Sequence, residues 1–189
     1  MILAAGRGER MRPLTDHVPK PLLPVGGKPL IVWHIERLAR ARIHNLVINH
    51  AHLGHQIEDA LGDGSRWGLS IRYSREGEGK ALETGGGILR ALPLLGDSPF
   101  LVLNADVWSD VEPSCLRISA GDLAHLQMVR NPPHHPRGED HLAAGRLQAV
   151  GVPRRTEGGM GVYSPARFAS SGPGAVPLGA LLGEAMLAG

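Results

Sequence analysis

Cysteine, aromatic residues and long apolar runs are all scarce in this chain of 189 residues. The single cysteine, Cys115, rules out an internal disulfide and is typical of a protein from a reducing compartment. No apolar run approaches the ~20 residues that a membrane-spanning helix needs. The apolar stretch before Gly6 is also too short for a secretion signal. We therefore expect a cytoplasmic protein without a membrane partner.

An excess of charge of either sign is missing as well. The 20 Lys and Arg residues against 18 Asp and Glu residues give a formal charge of +2, with the 10 histidines counted as neutral. No basic run occurs, so the composition argues against a nucleic-acid partner. It gives no indication of oligomeric state. The length and a hydrophobic fraction of 42% suit one domain with a sizeable core.

Apolar segments with the spacing of strands and of helices alternate through most of the chain. This alternation predicts an α/β fold, a Rossmann-like three-layer α/β/α arrangement with a mostly parallel central sheet, in one domain spanning 1–189. Pro93 predicts a break near the end of the third helix. The predicted strands are 2–5, 46–48, 69–73, 100–103, 123–129, 149–152 and 160–163, and the predicted helices are 30–41, 53–61, 88–95 and 178–187.

The most informative segment is 3–25, LAAGRGERMRPLTDHVPKPLLPV. Gly6 and Gly8 form a turn directly after a strand, where backbone N–H groups can approach an anion closely. Arg10 and Lys20 add the positive charge that a polyphosphate needs. The segment is neither a Walker loop nor a dinucleotide-binding GxGxxG turn, because Met11 stands where the last glycine would be. We predict a nucleoside triphosphate site of another kind.

An acidic residue follows the apolar strand 100–103 almost at once. Asp106 comes after Asn104-Ala105, which places its carboxylate at the carboxyl edge of the sheet. Ligands bind at this edge in open α/β folds, and Mg²⁺ prefers one or two carboxylates together with phosphate oxygens. The sequence therefore predicts Asp106 as a magnesium ligand, with a simple capping role after the strand as the alternative.

A third block, 76–88, reads EGEGKALETGGGI. Each glycine costs about 1 kcal/mol relative to alanine inside a helix, so three in a row are not expected in a helix interior. They suit a loop whose backbone lies against a flat base or a sugar ring. A hinge between strand and helix is the alternative. Glu78 is a weaker candidate contact in the same block.

The histidines form two groups, of which the first invites a metal hypothesis. His50, His52 and His55 are closely spaced, but a zinc site needs a fourth ligand, and Cys115 stands alone. A zinc protein therefore stays a distant alternative. The segment 131–140, NPPHHPRGED, is polar and rich in proline, which favours a lid or a loop beside an acceptor sugar.

The blocks LAAGxGxRMxPLT, KPLLPV and LETGGGI together resemble the signatures of the sugar-1-phosphate nucleotidyltransferases, which make NDP-sugars from an NTP and a sugar 1-phosphate. Within that family the chain looks most similar to the bacterial members that use N-acetylmuramate 1-phosphate in peptidoglycan recycling. The resemblance implies UTP and N-acetylmuramate 1-phosphate as substrates, pyrophosphate as a product, and Mg²⁺ as cofactor.

The resemblance also implies roles for individual residues. Arg10, Lys20 and Asp106 are the expected catalytic residues: Arg10 at the triphosphate, Lys20 at the α-phosphate or the sugar phosphate, and Asp106 at Mg²⁺. The expected nucleotide contacts are Ala4, Ala5, Gly6, Gly8, Arg10, Glu76, Glu83, Thr84 and Gly85, and the expected sugar contacts are Gly86, Asn104, Gly138 and Glu157.

One departure from the family pattern leaves alternatives open. Relatives usually carry a second acidic metal ligand in a short motif resembling W-x-D-x-G-T, which this sequence lacks, and its last residues, MLAG, resemble an interrupted end. We therefore expect 1–189 to be a catalytic domain without its usual C-terminal end. The alternatives are a mannose-1-phosphate guanylyltransferase and a relative that binds nucleotide without catalysis.

Overall fold

An eight-stranded sheet lies at the centre of the protein. The structure is a computed structural model that describes residues 1–77, 82–169, 171–172 and 174–188. Glu78, the weaker candidate contact, lies outside the described residues. The strands of the sheet are β1 (Ile2–Leu3), β4 (Asn45–His50), β5 (Ser70–Arg75), β6 (Phe100–Asn104), β7 (Ala124–Val129), β8 (Asp140–Ala143), β9 (Arg146–Gln148) and β10 (Arg154–Tyr163), and a separate hairpin pairs β2 (Pro24–Val25) with β3 (Lys28–Pro29).

The sheet has a parallel half and an antiparallel half. Its strand order is β5-β4-β1-β6-β10-β8-β9, and β7 also pairs with β10. The first four strands in this order are parallel, with Ile2 of β1 between Ile48 of β4 and Leu103 of β6. Beyond β6 every pairing is antiparallel, beginning with Met160 of β10 opposite Leu103. The parallel half brings the carboxyl ends of β1, β4 and β6 to one edge.

Helices cover both faces of this sheet, which confirms the predicted three-layer α/β/α fold. The helices are α1 (Leu30–Arg40), α2 (Gly54–Leu61), α3 (Glu83–Leu95) and α4 (Leu178–Ala188). Side chains alternate along β4, so Ile48 joins the core under α1 and α2 while Val47 joins the core under α3 and α4. Among the described residues, no helix has the length and apolarity needed to cross a membrane.

The predicted strand at 149–152 is wrong. The chain bends there, between β9 and β10, because Gly151 has φ +135° and Pro153 has no N–H to donate to a ladder. The hairpin of β8 and β9 was not predicted from the sequence. Together with β10, this hairpin forms the antiparallel end of the sheet, and it contributes to the site described below.

The interpretation of the three glycines as a non-helical loop is also wrong. Helix α3 begins at Glu83 and includes all three, and it continues through Pro93 to Leu95 without the predicted break. A Cβ on Gly86 would lie 2.2 Å from the carbonyl oxygen of Gly174, and one on Gly85 would lie 2.6 Å from that of Val176. The glycines therefore let the backbone before α4 pack directly on α3, and this packing outweighs their low helix propensity.

Candidate functional site

Two adjoining clefts open where the carboxyl ends of the parallel strands meet α3. We call them the strand-end cleft, of about 370 Å³, and the acidic cleft, of about 310 Å³. Both are lined by Leu3, Glu83, Thr84 and Asn104. The strand-end cleft adds Ala4, Ala5, Gly6, Lys20, Pro21, Asn49, Glu76, Ala105 and Asp106, and the acidic cleft adds Val102, Glu139, Asp140, Glu157, Gly159, Tyr163, Pro177, Leu178, Gly179 and Leu182.

A lysine and an aspartate face each other in the strand-end cleft. Lys20 lies in a single 3-10 turn between the buried Pro19 and Pro21, and Asp106 lies two residues beyond the end of β6. The Nζ atom of Lys20 is 2.5 Å from Oδ2 of Asp106, and the aspartate side chain is 38% exposed. The pair balances its own charge, while the partly exposed carboxylate stays accessible to a ligand in the cleft.

The glycine turn beside this pair has the features of an anion-binding turn. Gly8 has φ +72°, and the hydroxyl of Thr15 donates to its carbonyl oxygen at 2.9 Å. Arg7 is held structurally, because it donates to Thr15 O at 2.7 Å. Within the described residues, the backbone N–H groups of Gly6, Arg7 and Gly8 donate to no protein acceptor, and the exposed Arg10 forms no ion pair. These donors are therefore available to an incoming anion.

A buried polar network forms another wall of the strand-end cleft. The N–H of Ala4 donates to Oδ1 of Asn49 at 2.9 Å, and Nδ2 of Asn49 donates to Oε1 of Glu76 at 2.6 Å. The N–H of Leu82 donates to the other Glu76 oxygen at 3.0 Å. Asn49 is 2% exposed and Glu76 is 5% exposed. The network ties β1, β4 and β5 to the start of α3, so this wall is fixed before any ligand binds.

Carboxyl groups dominate the acidic cleft. Oε2 of Glu139 accepts a hydrogen bond from the backbone N–H of Glu157 at 2.8 Å, which holds β10 against the residue before β8. Burial raises the pKa of Glu157 to about 7, and the nearby charges of Glu139 and Asp140 act in the same direction. Burial also raises the pKa of Asp140. Tyr163 acts in the opposite direction and lowers the pKa of Glu157, while burial raises the pKa of Tyr163 itself well above its usual value.

The loop that carries Asp106 is supported from below by α1. Arg37 is buried and donates from Nη1 to the carbonyl oxygen of Ser109 at 2.5 Å. Gln127 of β7 donates to the hydroxyl of the same serine at 3.2 Å. His34 is buried one turn earlier on α1, and burial lowers its pKa. These contacts fix the course of the chain just after Asp106.

The donor set of the strand-end cleft suits a hard cation that arrives with phosphate oxygens. Among the described residues no three His, Cys, Asp or Glu side chains are grouped as metal ligands. One carboxylate, that of Asp106, projects beside the glycine turn, and Mg²⁺ is commonly held by one or two carboxylates plus substrate phosphates. Two of the three histidines of the zinc hypothesis are otherwise engaged, since His50 contacts Glu58 at 2.6 Å and His52 contacts Thr15 O at 3.0 Å.

Comparison with known proteins assigns this architecture to a family. Residues 1–131, which supply most of the strand-end cleft, match the family described as Nucleotidyl transferase. This chain belongs to the nucleotidyl transferase family. Its members that resemble the chain are sugar-1-phosphate nucleotidyltransferases, and nucleotidyltransferases of this family generally use a divalent metal ion. The family resemblance predicted from the three sequence blocks is thereby confirmed.

The relatives of this nucleotidyltransferase differ in their sequence identity to it. Over 176 residues it is 54% identical to the N-acetylmuramate alpha-1-phosphate uridylyltransferase of Neisseria meningitidis serogroup B, covering 89% of this chain and 76% of that protein. It is 36% identical over 134 residues to the mannose-1-phosphate guanylyltransferase of Mycobacterium tuberculosis, covering 69% of this chain but 36% of that protein. The inositol-1-phosphate CTP transferase of T. maritima shares the fold, with a TM-score of 0.76 at 16% identity over 100% of this chain and 80% of that one.

The structure brings most of the predicted site residues of this nucleotidyltransferase to the two clefts. The lining residues among them are Ala4, Ala5, Gly6, Lys20, Glu76, Glu83, Thr84, Asn104, Asp106 and Glu157. Arg10 and Gly8 lie in the turn beside the strand-end cleft. Gly85 and Gly86 line neither cleft, because they are buried in α3 against the segment before α4. Gly138 packs against Asn131 and precedes Glu139, so its place is behind the lining.

Several residues of the site were not identified from the sequence. Asn49 directly follows the predicted strand 46–48, and this position at the carboxyl edge was a usable signal. Asp140 and Tyr163 gave no such signal, because they meet Glu157 only through the antiparallel pairing of β10 with β8 and β6. His34 and Arg37 read as ordinary positions of an amphipathic helix.

Proposed function

We propose that this nucleotidyltransferase transfers a uridylyl group from UTP to N-acetylmuramate 1-phosphate, giving UDP-N-acetylmuramate and pyrophosphate in peptidoglycan recycling. The observation that carries the proposal is the pair of contiguous clefts, one with Lys20, Asp106 and a free glycine turn, and the other able to hold a second substrate. The choice of substrates is supported by 54% identity to a relative with this activity in its name.

The strand-end cleft suits the triphosphate. In the proposed reaction, an oxygen of the sugar phosphate attacks the α-phosphorus of UTP in line, and the bond to the pyrophosphate oxygen breaks. The N–H groups of the Gly6–Gly8 turn bind phosphate oxygens, and Arg10 and Lys20 stabilise the negative charge that develops on them. Because no bond to the protein forms, catalysis in this scheme consists of positioning and charge stabilisation.

Asp106 is the residue that would hold Mg²⁺, which when bound would neutralise phosphate charge during the transfer. Lys20 occupies one carboxylate oxygen of Asp106 in the structure. We propose that Lys20 moves to the substrate phosphates when nucleotide binds, since its side chain is flexible and a phosphate offers it more charge than one carboxylate. Arg37 would act indirectly, as a positioning residue that holds the loop that follows Asp106.

The walls of the two clefts suit the base and the sugar. Ala4 and Ala5 present small side chains and backbone to a nucleoside, and the Asn49–Glu76 network supplies fixed polar groups for a base edge. Glu83 and Thr84, at the start of α3, face both clefts and would lie between the two substrates. Asn104 and Glu157 face the acidic cleft, where we place the acceptor sugar.

The same proposal includes the extent and the location of the enzyme. We assign the catalytic domain to 1–189. We expect it to act in the cytoplasm, where UTP and sugar phosphates are made. The guanylyltransferase alternative is favoured by one observation, the 36% identity to a mannose-1-phosphate guanylyltransferase, which covers a smaller part of that relative.

The decisive experiment measures pyrophosphate release with Mg²⁺. UTP and GTP are each combined with N-acetylmuramate 1-phosphate, N-acetylglucosamine 1-phosphate and mannose 1-phosphate. We expect the highest kcat/KM with UTP and N-acetylmuramate 1-phosphate. Preference for GTP and mannose 1-phosphate would support the guanylyltransferase instead. Nucleotide binding without pyrophosphate release from any pair would indicate a relative that binds without catalysis.

A further inference from the structure

The acidic cleft and the acceptor that we propose for it both carry carboxyl groups, which repel each other when ionised. This inference rests on the proposed function. Four carboxyl groups, those of Glu83, Glu139, Asp140 and Glu157, line the cleft. In the described part of the chain, no Lys, Arg or His side chain lines it. N-acetylmuramate differs from N-acetylglucosamine by a lactyl ether that ends in a carboxylate. A cleft of this composition repels that carboxylate if its own acids are all ionised.

Glu157 differs from the other three acids in its surroundings. It projects from β10, where its backbone N–H is bonded to Glu139 at 2.8 Å, so its position is fixed by the sheet. Glu139 and Asp140 face it from the start of β8, Tyr163 from its own strand, and Glu83 from α3 across the cleft. Among the described residues that line the cleft, every ionisable side chain is therefore acidic. Burial and the charges of Glu139 and Asp140 favour the neutral form of Glu157, and together they outweigh Tyr163, which acts in the opposite direction.

We propose that the neutral carboxyl group of Glu157 recognises the acceptor by donating a hydrogen bond to the carboxylate of the muramate. A protonated carboxyl is a donor that adds no negative charge, and its hydrogen bond to a carboxylate is of the strong, charge-assisted kind. The cleft accepts an anionic sugar while Glu157 is protonated and repels it once Glu157 ionises. Acceptors without the lactyl group are insensitive to this change.

The electrostatics place the transition in an accessible range. Burial and the charges of Glu139 and Asp140 raise the pKa of Glu157 to about 7. With that value, the protonated fraction falls from about nine tenths at pH 6 to about one tenth at pH 8. The sign is therefore definite, since binding of the anionic acceptor weakens as the pH rises through neutrality.

The first test compares two acceptors on the unaltered enzyme. KM is measured between pH 6 and pH 8 with saturating UTP, for N-acetylmuramate 1-phosphate and for N-acetylglucosamine 1-phosphate. Both carry the same phosphate, so its titration cancels in the ratio of the two KM values. We expect the KM of N-acetylmuramate 1-phosphate, relative to that of N-acetylglucosamine 1-phosphate, to rise about tenfold over the range, in favour of the acceptor without the lactyl carboxylate. A constant ratio would overturn the inference.

The second test replaces the carboxyl group of Glu157, which donates a hydrogen bond only when protonated, with an amide. In Glu157→Gln the amide donates at every pH, so the KM ratio is expected to lose its pH dependence. Glu112→Gln, an exposed change outside both clefts, is the matched control and should keep the tenfold rise. An unchanged rise in Glu157→Gln would contradict the assignment to this residue.

A direct titration makes the result independent of how the variants fold. In the unaltered protein labelled with ¹³C at glutamate side chains, one carboxyl should titrate near neutrality, and the muramate substrate should raise its pKa. Absence of such a carboxyl would refute the inference. The outcomes also separate the two levels of argument: turnover with both acceptors at a constant KM ratio overturns this inference alone, whereas turnover with neither overturns the proposed function and the inference with it.

Discussion

The strand-end cleft and the acidic cleft are neighbours that both contain carboxyl groups but differ in the cation and the hydrogen-bond donors beside them. The strand-end cleft contains the cation of Lys20 and a glycine turn with free N–H groups, together with the carboxyl groups of Asp106, Glu76 and Glu83. The acidic cleft contains carboxyl groups and a buried tyrosine, with no cation among its described lining residues. The difference matches the substrates that we propose, because a triphosphate needs compensation of its charge whereas a sugar ring needs hydrogen-bonding groups around hydroxyls.

The two clefts also differ in how the chain builds them. The strand-end cleft is assembled from short blocks that each follow a parallel strand, at the edge where such folds bind ligands. The acidic cleft depends on long antiparallel β10, which brings Glu157 and Tyr163 alongside residues from β8. A substitution in one cleft should therefore change one substrate's kinetics selectively, and the following predictions test that separation.

The largest effect is expected from Asp106→Asn. The amide keeps the shape of the side chain but loses the charge that we assign to metal binding, so kcat should fall on the order of 1000-fold. Pyrophosphate release at saturating Mg²⁺ measures this loss, and circular dichroism checks the fold. Asp110→Asn, an exposed change four residues later, is the control and should keep nearly full activity. A variant at Asp106 with normal kcat would remove this residue from the metal site.

Lys20→Met should have the next largest effect. It removes the cation 2.5 Å from Asp106 and should lower kcat on the order of 100-fold through weaker stabilisation of phosphate charge. The KM of the acceptor sugar should change little if the clefts act separately. Lys28→Met, on the hairpin of β2 and β3, is the control. A change confined to the acceptor KM would instead place Lys20 with the sugar substrate.

Gly86→Ala tests the packing of α3, whose first residues, Glu83 and Thr84, line both clefts. The added Cβ would meet the carbonyl oxygen of Gly174 at 2.2 Å, so the free energy of unfolding should fall by about 2 kcal/mol. Gly183→Ala in α4 is a matched control, because a Cβ there meets nothing within 4 Å and should stabilise the helix by about 0.5–1 kcal/mol. Urea unfolding of both variants measures the difference, and equal stability would disprove the packing argument.

The same glycines show what the sequence could not reveal. Local patterns were sufficient for α1, β4 and β6, whose apolar spacing predicted them to within a few residues. The start of α3 was missed because glycine propensity is a local property, whereas the reason for these glycines is the distant segment around Gly174. The hairpin of β8 and β9 was missed for a related cause, since its turn at Ala144-Gly145 follows none of the strong turn dipeptides.

The candidate site also has a part that local sequence patterns could predict and a part that they could not. Gly6, Lys20 and Asp106 could be placed together from sequence, because the ends of neighbouring parallel strands meet at one edge. Their assigned roles remain predictions. Asp140 and Tyr163 could not be placed beside Glu157 without the register of β10, which no local pattern determines. Long-range antiparallel pairing is thus the information that the sequence pattern did not contain.

The smallest effect is expected from Glu58→Gln, which changes stability at a residue that lines neither of the two clefts. A hydrogen bond from Arg75 lowers the pKa of Glu58 to about 2, and His50 contributes in the same direction. Glu58→Gln should therefore lower stability by about 1 kcal/mol at pH 7. Because the shifted pKa lies below the unfolded value, this contribution is lost as the pH falls from about 4.5 towards 2.

The contribution of Glu157 to stability depends on pH in the opposite direction. Its raised pKa means that it favours the folded state below about pH 4.5 and loses that contribution as the pH rises towards 7. Urea unfolding of Glu58→Gln, with the neighbouring exposed Asp59→Asn as control, should show a deficit that is constant between pH 6 and 8 and shrinks below 4.5. A deficit that stayed constant below pH 4.5 would contradict the contribution that we assign to the ionised Glu58.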